Sequence, residues 1–545
     1  MRSIVSSAHP ASASSYLILY RLDGLYIMTT LTQDIAIADA RAPRVGWRGW
    51  AALVVLMLPV LLVSVDNTVL SFALPQIALD LEPTATQQLW IIDAYPLVLA
   101  SLLVTMGVLG DRFGRRRMLL IGATGFGLVS ALAAFAPSAE WLIASRAAMG
   151  VFGAMLMPST LSLLRSIFTN RDQRRLAIAV WAAGFSAGAA LGPVVGGILL
   201  EHFAWGAVFL MAVPVLVPLL ILVPILVPES RDPNPGRFDP LSVALSLLTM
   251  VPIVYAIKEF AVHGTESPLP IVLVAAGTVV GVLFVRRQNR LETPMLDMAL
   301  FRRPTFSGSV LVNLLSVIGL VGFLYFVAQH LQLIVGLSPL EAGLALVPGL
   351  LAMIVAGIGV VPIAKRVAPR IVVPVALGFS ILGYLLVAVS ANTGALPLLI
   401  AAFVSLGVGI GAAETVSNEL ILASAPPAKA GAASAVSETA YELGAVLGTT
   451  IIGGLLAAFY RANLALPAGL PDDVADAARE TLAGAVAGSH TLDETLGQAL
   501  RDAAAHAFDA GVGVTALIGA GLIVVAAVIA ALTLGGRQKR VPVEH

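Results

Sequence analysis

Gly107-Val-Leu-Gly110-Asp111-Arg112-Phe113-Gly114-Arg115-Arg116-Arg117 is a short, densely charged stretch in a chain that is 58% hydrophobic. It separates two apolar runs, Leu89 to Leu109 and Met118 to Phe135, each close to the ~20 residues that carry a helix across a bilayer. Its charges therefore belong at a membrane surface. Gly107, Gly110 and Gly114 let two helix ends approach closely, and Asp111 is placed to accept hydrogen bonds from arginines or to face the positive end of a helix. Two readings stand: a latch between helix ends, or a basic anchor that fixes topology.

Composition carries the same message. Only 12% of residues are charged and the mean hydropathy is +0.93, whereas an ordinary soluble domain carries about 25% charged residues. The chain is a polytopic membrane protein. Basic and acidic residues balance at 32 each, so no basic field points to nucleic acid. There is no cysteine, which removes disulfides, thiolate metal sites and cysteine nucleophiles. No G-x-x-x-x-G-K-[ST] phosphate loop occurs, which argues against ATP drive; no cofactor or metal is expected.

Residues 1–47 are polar to mixed, and Ser14 to Leu25 lacks the apolar core and cleavage site of a secretory signal. They read as a cytoplasmic leader, with Met28, ahead of Arg41, Arg44 and Arg48, as an alternative start. Beyond them, apolar runs predict spans near 50–74, 89–109, 118–136, 141–164, 176–200, 206–227, 241–260, 268–285, 307–329, 340–364, 371–391, 396–423, 432–460 and 508–535. Loops on one side hold 22 lysines and arginines and those on the other hold 3, so both termini are expected in the cytoplasm. The Pro-rich loop 228–240 divides six spans from eight and reads as a stiff connector. The predicted organisation is an all-α chain with a leader (1–47), a six-helix bundle (48–227), a connector with two extra spans (228–303), a second six-helix bundle (304–535) and a cytoplasmic tail (536–545). Residues 461–507, rich in Ala, Asp and Glu, read as a solvated extracytoplasmic loop in which Asp472 to Leu482 forms a surface helix.

Ionisable groups inside spans cost about 2.5–3.5 kcal/mol on insertion scales and are functional candidates by default. Asp66 lies ~22 Å along the first span. Asp93, with Tyr95 two residues on, lies near the outer end of span 2; Arg146 interrupts span 4. Glu438 and Glu442 are four apart in span 13, on one helical face with Tyr441 beside them. Asp93 is either a functional carboxylate or a helix cap, and Asp66 either a protonation site or a structural partner of Arg146. Glu414, Glu419, Lys258 and Glu259 read as weaker candidates near span ends. Carboxylates in a low-dielectric interior bind protons more readily, which suits proton coupling.

Several segments resemble the major facilitator superfamily. The opening stretch is similar to its loop between helices 2 and 3. Leu142-Ile-Ala-Ser-Arg146-Ala-Ala-Met149-Gly150 resembles its span-4 motif, with Met149 where glutamine is usual. Gly188-Ala-Ala-Leu-Gly192-Pro193-Val-Val-Gly196-Gly197 is similar to its antiporter motif, in which glycines admit a neighbouring helix and proline permits a bend. Asp66 to Pro75 and Gln329 to Gly343 resemble the fourteen-helix drug:proton antiporter family, closest to its multidrug pumps of mycobacteria and enterobacteria. That resemblance implies the major facilitator fold with fourteen spans, arranged six, two and six. It implies proton-driven export of bulky apolar, often cationic compounds such as dyes, quaternary ammonium compounds and fluoroquinolones, by a monomer in the cell membrane that is not an enzyme. Its partners would be small-molecule drugs, protons and the lipid bilayer. It places proton coupling on Asp66, Arg146, Glu438 and Glu442, and cation recognition on Asp93, Tyr95, Glu438, Tyr441 and Glu442. Gating falls to Gly107, Gly110, Asp111, Arg112, Gly114, Arg115, Arg116 and the glycine-proline face of span 5. Met155, Met157 and Phe185 are offered as adaptable apolar contacts. Export of an endogenous lipid or metabolite, and a lipid-linked membrane enzyme, stand as rivals.

Overall fold

The computed structural model describes residues 45–231, 239–263, 268–291, 294, 296–425 and 430–535, with a two-residue strand pair, Arg21–Leu22 against Leu25–Tyr26, in the leader. Most of the expected leader, the Pro-rich centre of the connector, the tail from 536 and the Phe185 side chain lie outside the described residues. In chain order the helices are α1 Trp47–Leu81, α2 Ala85–Phe113, α3 Arg115–Ala133, α4 Ala139–Ile167 and α5 Arg171–His202. Then come α6 Ala207–Leu226, α7 Pro240–His263, α8 Leu269–Gln288, α9 Pro304–Ile334, α10 Pro339–Ala364, α11 Pro369–Thr393 and α12 Leu396–Ser424. Last are α13 Ala433–Asn463, α14 Asp472–Glu480, α15 Leu482–Ser489 and α16 Glu494–Thr533. Thirteen of these are long and apolar enough to cross a membrane. The fifth expected span falls in α5, whose described apolar part is Ala187–His202.

Polar residues set the helix starts. Thr84 and Ser338 form capping boxes with Gln87 and Glu341, each satisfying backbone donors that the first turn leaves open. The α2–α3 turn pivots on Gly114, whose φ of 113° suits glycine, and a Cβ there would meet the Glu229 carboxyl at 2.8 Å.

Helices α1 to α6 pack on one another, as do α9 to α13 with α16. The two sets meet chiefly through α5 against α10, α2 against α13, and α1 against α9. Helix α7 packs on both α2 and α13, and α8 packs on α7. Asp239, at the start of α7, takes Arg287 of α8 at 2.9 Å. Partial burial pushes its carboxyl up, but hydrogen bonds from Arg287 and Ser242 outweigh this and bring it down to about 2. This ion pair thus fastens the start of α7 to the end of α8.

The segment 461–507 differs from its expected solvated state. It forms α14, α15 and the first turns of α16, with Asp493 capping α16 well before the expected start at 508. Val474, Ala475, Ala478, Leu482 and Ala485 are buried. These small apolar side chains recur at helical spacing and need a surface to cover. The result is a packed cap over the helix ends on this side, pinned where Tyr460 donates to the Ala478 carbonyl at 2.9 Å.

Candidate functional site

Asp66 and Arg146 face one another across α1 and α4. Arg146 Nη1 donates to Asp66 Oδ2 at 2.6 Å, and both side chains are buried. The guanidinium also donates to the Ile91 carbonyl at 3.2 Å and lies 4.6 Å from the Tyr95 ring centroid. Three helices of the first bundle thus converge on one charge. Tyr95 is a buried partner of that cation, and its hydroxyl has no hydrogen bond.

Glu442 of α13 is buried and comes to this cluster from the second bundle. Asn67 Nδ2 donates to its Oε1 at 3.4 Å, while Oε2 is buried without a partner. Glu438, one helical turn away, interacts electrostatically with Arg165 of α4. The spacing of four sets both carboxylates toward the first bundle, and Tyr441 joins the lining of a narrow cavity between the bundles. Asn67, Thr68, Asp93, Arg146, Leu324 and Met353 line the same space.

Asp93 is fully buried, and it is not a helix cap. Its Oδ2 accepts from Lys258 of α7 at 2.9 Å and from Thr450 of α13 at 2.9 Å. Lys258 had read as a group near a span end; it is fully buried instead. Only 17 residues separate Pro240 from Lys258, fewer than the ~20 that cross a bilayer, and that shortfall was the signal in the sequence. Glu414 of α12 likewise has a buried carboxylate oxygen without a hydrogen bond, whereas Glu419 is exposed. Met157 is core, and Met155 packs against it.

The remaining predicted residues lie at the two ends of the bundles. Asp111 accepts from Arg115 Nε at 2.8 Å. The backbone of Arg116 donates to Glu229, and that of Arg115 to the Ser230 carbonyl, both at 3.0 Å. The charged loop therefore binds the end of α6, in its own bundle. On α5, Gly188 and Gly192 abut Ser64 and Thr68 of α1, and Gly196 abuts Val69. Gly197 turns to the second bundle, where a Cβ would meet the Pro339 carbonyl at 2.8 Å and the Leu340 Cα at 2.9 Å. Gly343 sits as closely on the Pro193 carbonyl. Gln332 donates to the Phe72 carbonyl at 3.0 Å beside them. The bundles are thus in close contact at the end remote from Asp111.

The Major Facilitator Superfamily profile matches residues 56–449. The chain is 57% identical over 486 residues to the multidrug efflux pump LfrA of Mycolicibacterium smegmatis, covering 89% of this chain and 96% of that protein. It is 38% identical over 468 residues to the methyl viologen resistance protein SmvA of Salmonella typhimurium, covering 85% and 93%. Among solved structures, it is similar in fold to a bacterial homolog of the human lysosomal transporter Spinster in an inward-facing, unoccupied conformation. There the TM-score is 0.60 at 17% identity, over 90% of this chain and 97% of that one.

Proposed function

The chain belongs to the major facilitator superfamily, a family of transporters rather than enzymes, and from that membership we propose that it exports bulky apolar, often cationic drugs in exchange for protons. The observation that carries this reading is a cavity between the bundles lined by Asp93, with Asp66 and Glu442 just behind its lining, bonded to Arg146 and Asn67. An organic cation in that cavity is held by carboxylates. A proton entering from outside neutralises one of them, weakens the hold and favours the opposite opening of the bundles. Asp66 and Arg146 couple the proton; Glu442 and Glu438 add a second carboxylate for dications, the charge type of the compound in the name of one relative. The glycines of α5 serve as a contact between the bundles that is made and released, and the Asp111 loop, bound to the end of α6, sets the helix ends at the opposite side. The protein works without a cofactor, as a monomer in the cell membrane, with both termini in the cytoplasm.

The test is transport by the purified chain in proteoliposomes under an imposed pH gradient, comparing a cationic dye with a neutral lipid. Gradient-dependent movement of the dye is the expected result. Movement of the lipid alone would favour export of an endogenous lipid, and uptake that ignores the gradient would end the proton-coupled reading.

A further inference from the structure

Lys258 is carried by α7, one of the two helices between the bundles, and its ammonium is completely enclosed. It donates to Asp93 Oδ2 at 2.9 Å and to the Leu89 carbonyl at 3.1 Å, and it lies 3.8 Å from the Trp90 ring centroid. A carboxylate, a carbonyl and an aromatic face are the groups by which proteins hold organic ammonium ions. Here the occupant is a side chain of the protein itself.

Helix α7 lies against both bundles at the same level. Met250, Val251 and Val254 pack with Trp90 and Leu97 of α2 and with Val446 of α13, so α7 touches both bundles around Asp93. The other carboxylate oxygen, Asp93 Oδ1, is buried without a hydrogen bond, as is the Thr449 hydroxyl, and Asp93 also lines the cavity. One carboxylate therefore serves Lys258 and Thr450 through Oδ2 and keeps Oδ1 unbonded, in a residue that lines the cavity. A pair built for stability alone gains little from burial, and a polar atom buried without a partner is costly.

We propose that Lys258 is a tethered internal cation that competes with organic cations for Asp93, so that the extra helix α7 sets substrate affinity and helps empty the site. This rests on the reading that the chain exports cations. A cation reaching Oδ1 shares its carboxylate with the ammonium, and the repulsion between them keeps binding loose enough for release. A neutral compound does not feel that repulsion.

The experiment measures binding of ethidium, a monocation, and of Nile red, a neutral dye, to the full-length purified protein by fluorescence anisotropy. Lys258→Met is expected to tighten ethidium about tenfold, ~1.4 kcal/mol, to slow its efflux from proteoliposomes, and to leave Nile red unchanged. The gain should vanish in Asp93→Asn/Lys258→Met, which removes both charges, and Lys258→Arg should bind ethidium like the parent. Ethidium affinity in Lys258→Met within about twofold of the parent would overturn the proposal. So would equal weakening of both dyes that the double variant restores, because that is the signature of a packing role. If the parent chain binds neither dye, the export reading fails and takes this inference with it.

Discussion

Removing one member of the Asp66–Arg146 pair should cost far more than removing both. The two atoms lie 2.6 Å apart in a site where Arg146 is 1% exposed and Asp66 3%. Stranding one charge of a buried pair costs about 3–5 kcal/mol, whereas replacing both by apolar groups is often near neutral. The two single losses should differ. In Asp66→Leu the guanidinium keeps the Ile91 carbonyl and the Tyr95 face, the latter worth up to ~2 kcal/mol when desolvated, so the cost falls near 3 kcal/mol. Arg146→Leu takes away the hydrogen-bond donor that the structure gives Asp66, and its cost should approach 5 kcal/mol. The double variant should recover most of this and cost about 1 kcal/mol, giving a coupling of about 7 kcal/mol, above the usual range for contacting residues because each single variant strands a buried charge. Unfolding in mixed micelles, followed by the fluorescence of the six tryptophans, measures all four corners of the cycle. Additive losses would refute the argument, since the pair would then contribute nothing as a pair. The transport counterpart uses Asp66→Asn and Arg146→Ala, which should lose drug-induced proton release while remaining in the membrane. Gradient-driven efflux retained in both would remove them from the mechanism.

Glu438→Gln and Glu442→Gln should depress export of a dication more than of a monocation and affect neutral compounds least, as parallel efflux assays would read. Equal loss for all three would indicate a coupling or structural role instead. Asp111→Ala removes an ion pair about a third exposed, so stability should change by less than about 1 kcal/mol while turnover slows at unchanged substrate affinity. Normal turnover would leave the loop as a topological anchor, held by its four remaining arginines. Gly197→Leu drives a side chain into the backbone of Pro339 and Leu340, which cannot swing aside, and should part α5 from α10. Spin labels on cysteines introduced at His202 and Val335, in a chain that has no cysteine of its own, should report a longer distance; an unchanged distance would sink the idea.

Much of this was open to reading from the chain alone, because it rests on local chemistry. Apolar runs of bilayer length mark the spans, and a carboxylate such as Asp66 or an arginine such as Arg146 within one stands out against them. The i, i+4 spacing of Glu438 and Glu442 puts both on one face whatever the surroundings. Which charges meet is another matter. Asp66 and Arg146 are 80 positions apart, and Asn67 and Glu442 are 375 apart; their meeting depends on how helices cross and rotate, which hydropathy does not encode. Lys258 looked peripheral because it stands near the end of its span, yet the packing of α7 against both α2 and α13 carries its side chain into the interior. The segment 461–507 read as a solvated loop with a surface helix at Asp472 to Leu482; that helix is present, but the small apolar face of α14 and α15 has meaning only against the helix ends it covers. Asp111 offered several partners in sequence, and the tight turn at Gly114 gave it Arg115 while sending the neighbouring backbone amides to Glu229 and Ser230. Composition and periodicity decide that these helices exist and where they lie along the chain; close packing between distant segments decides which buried charge answers which.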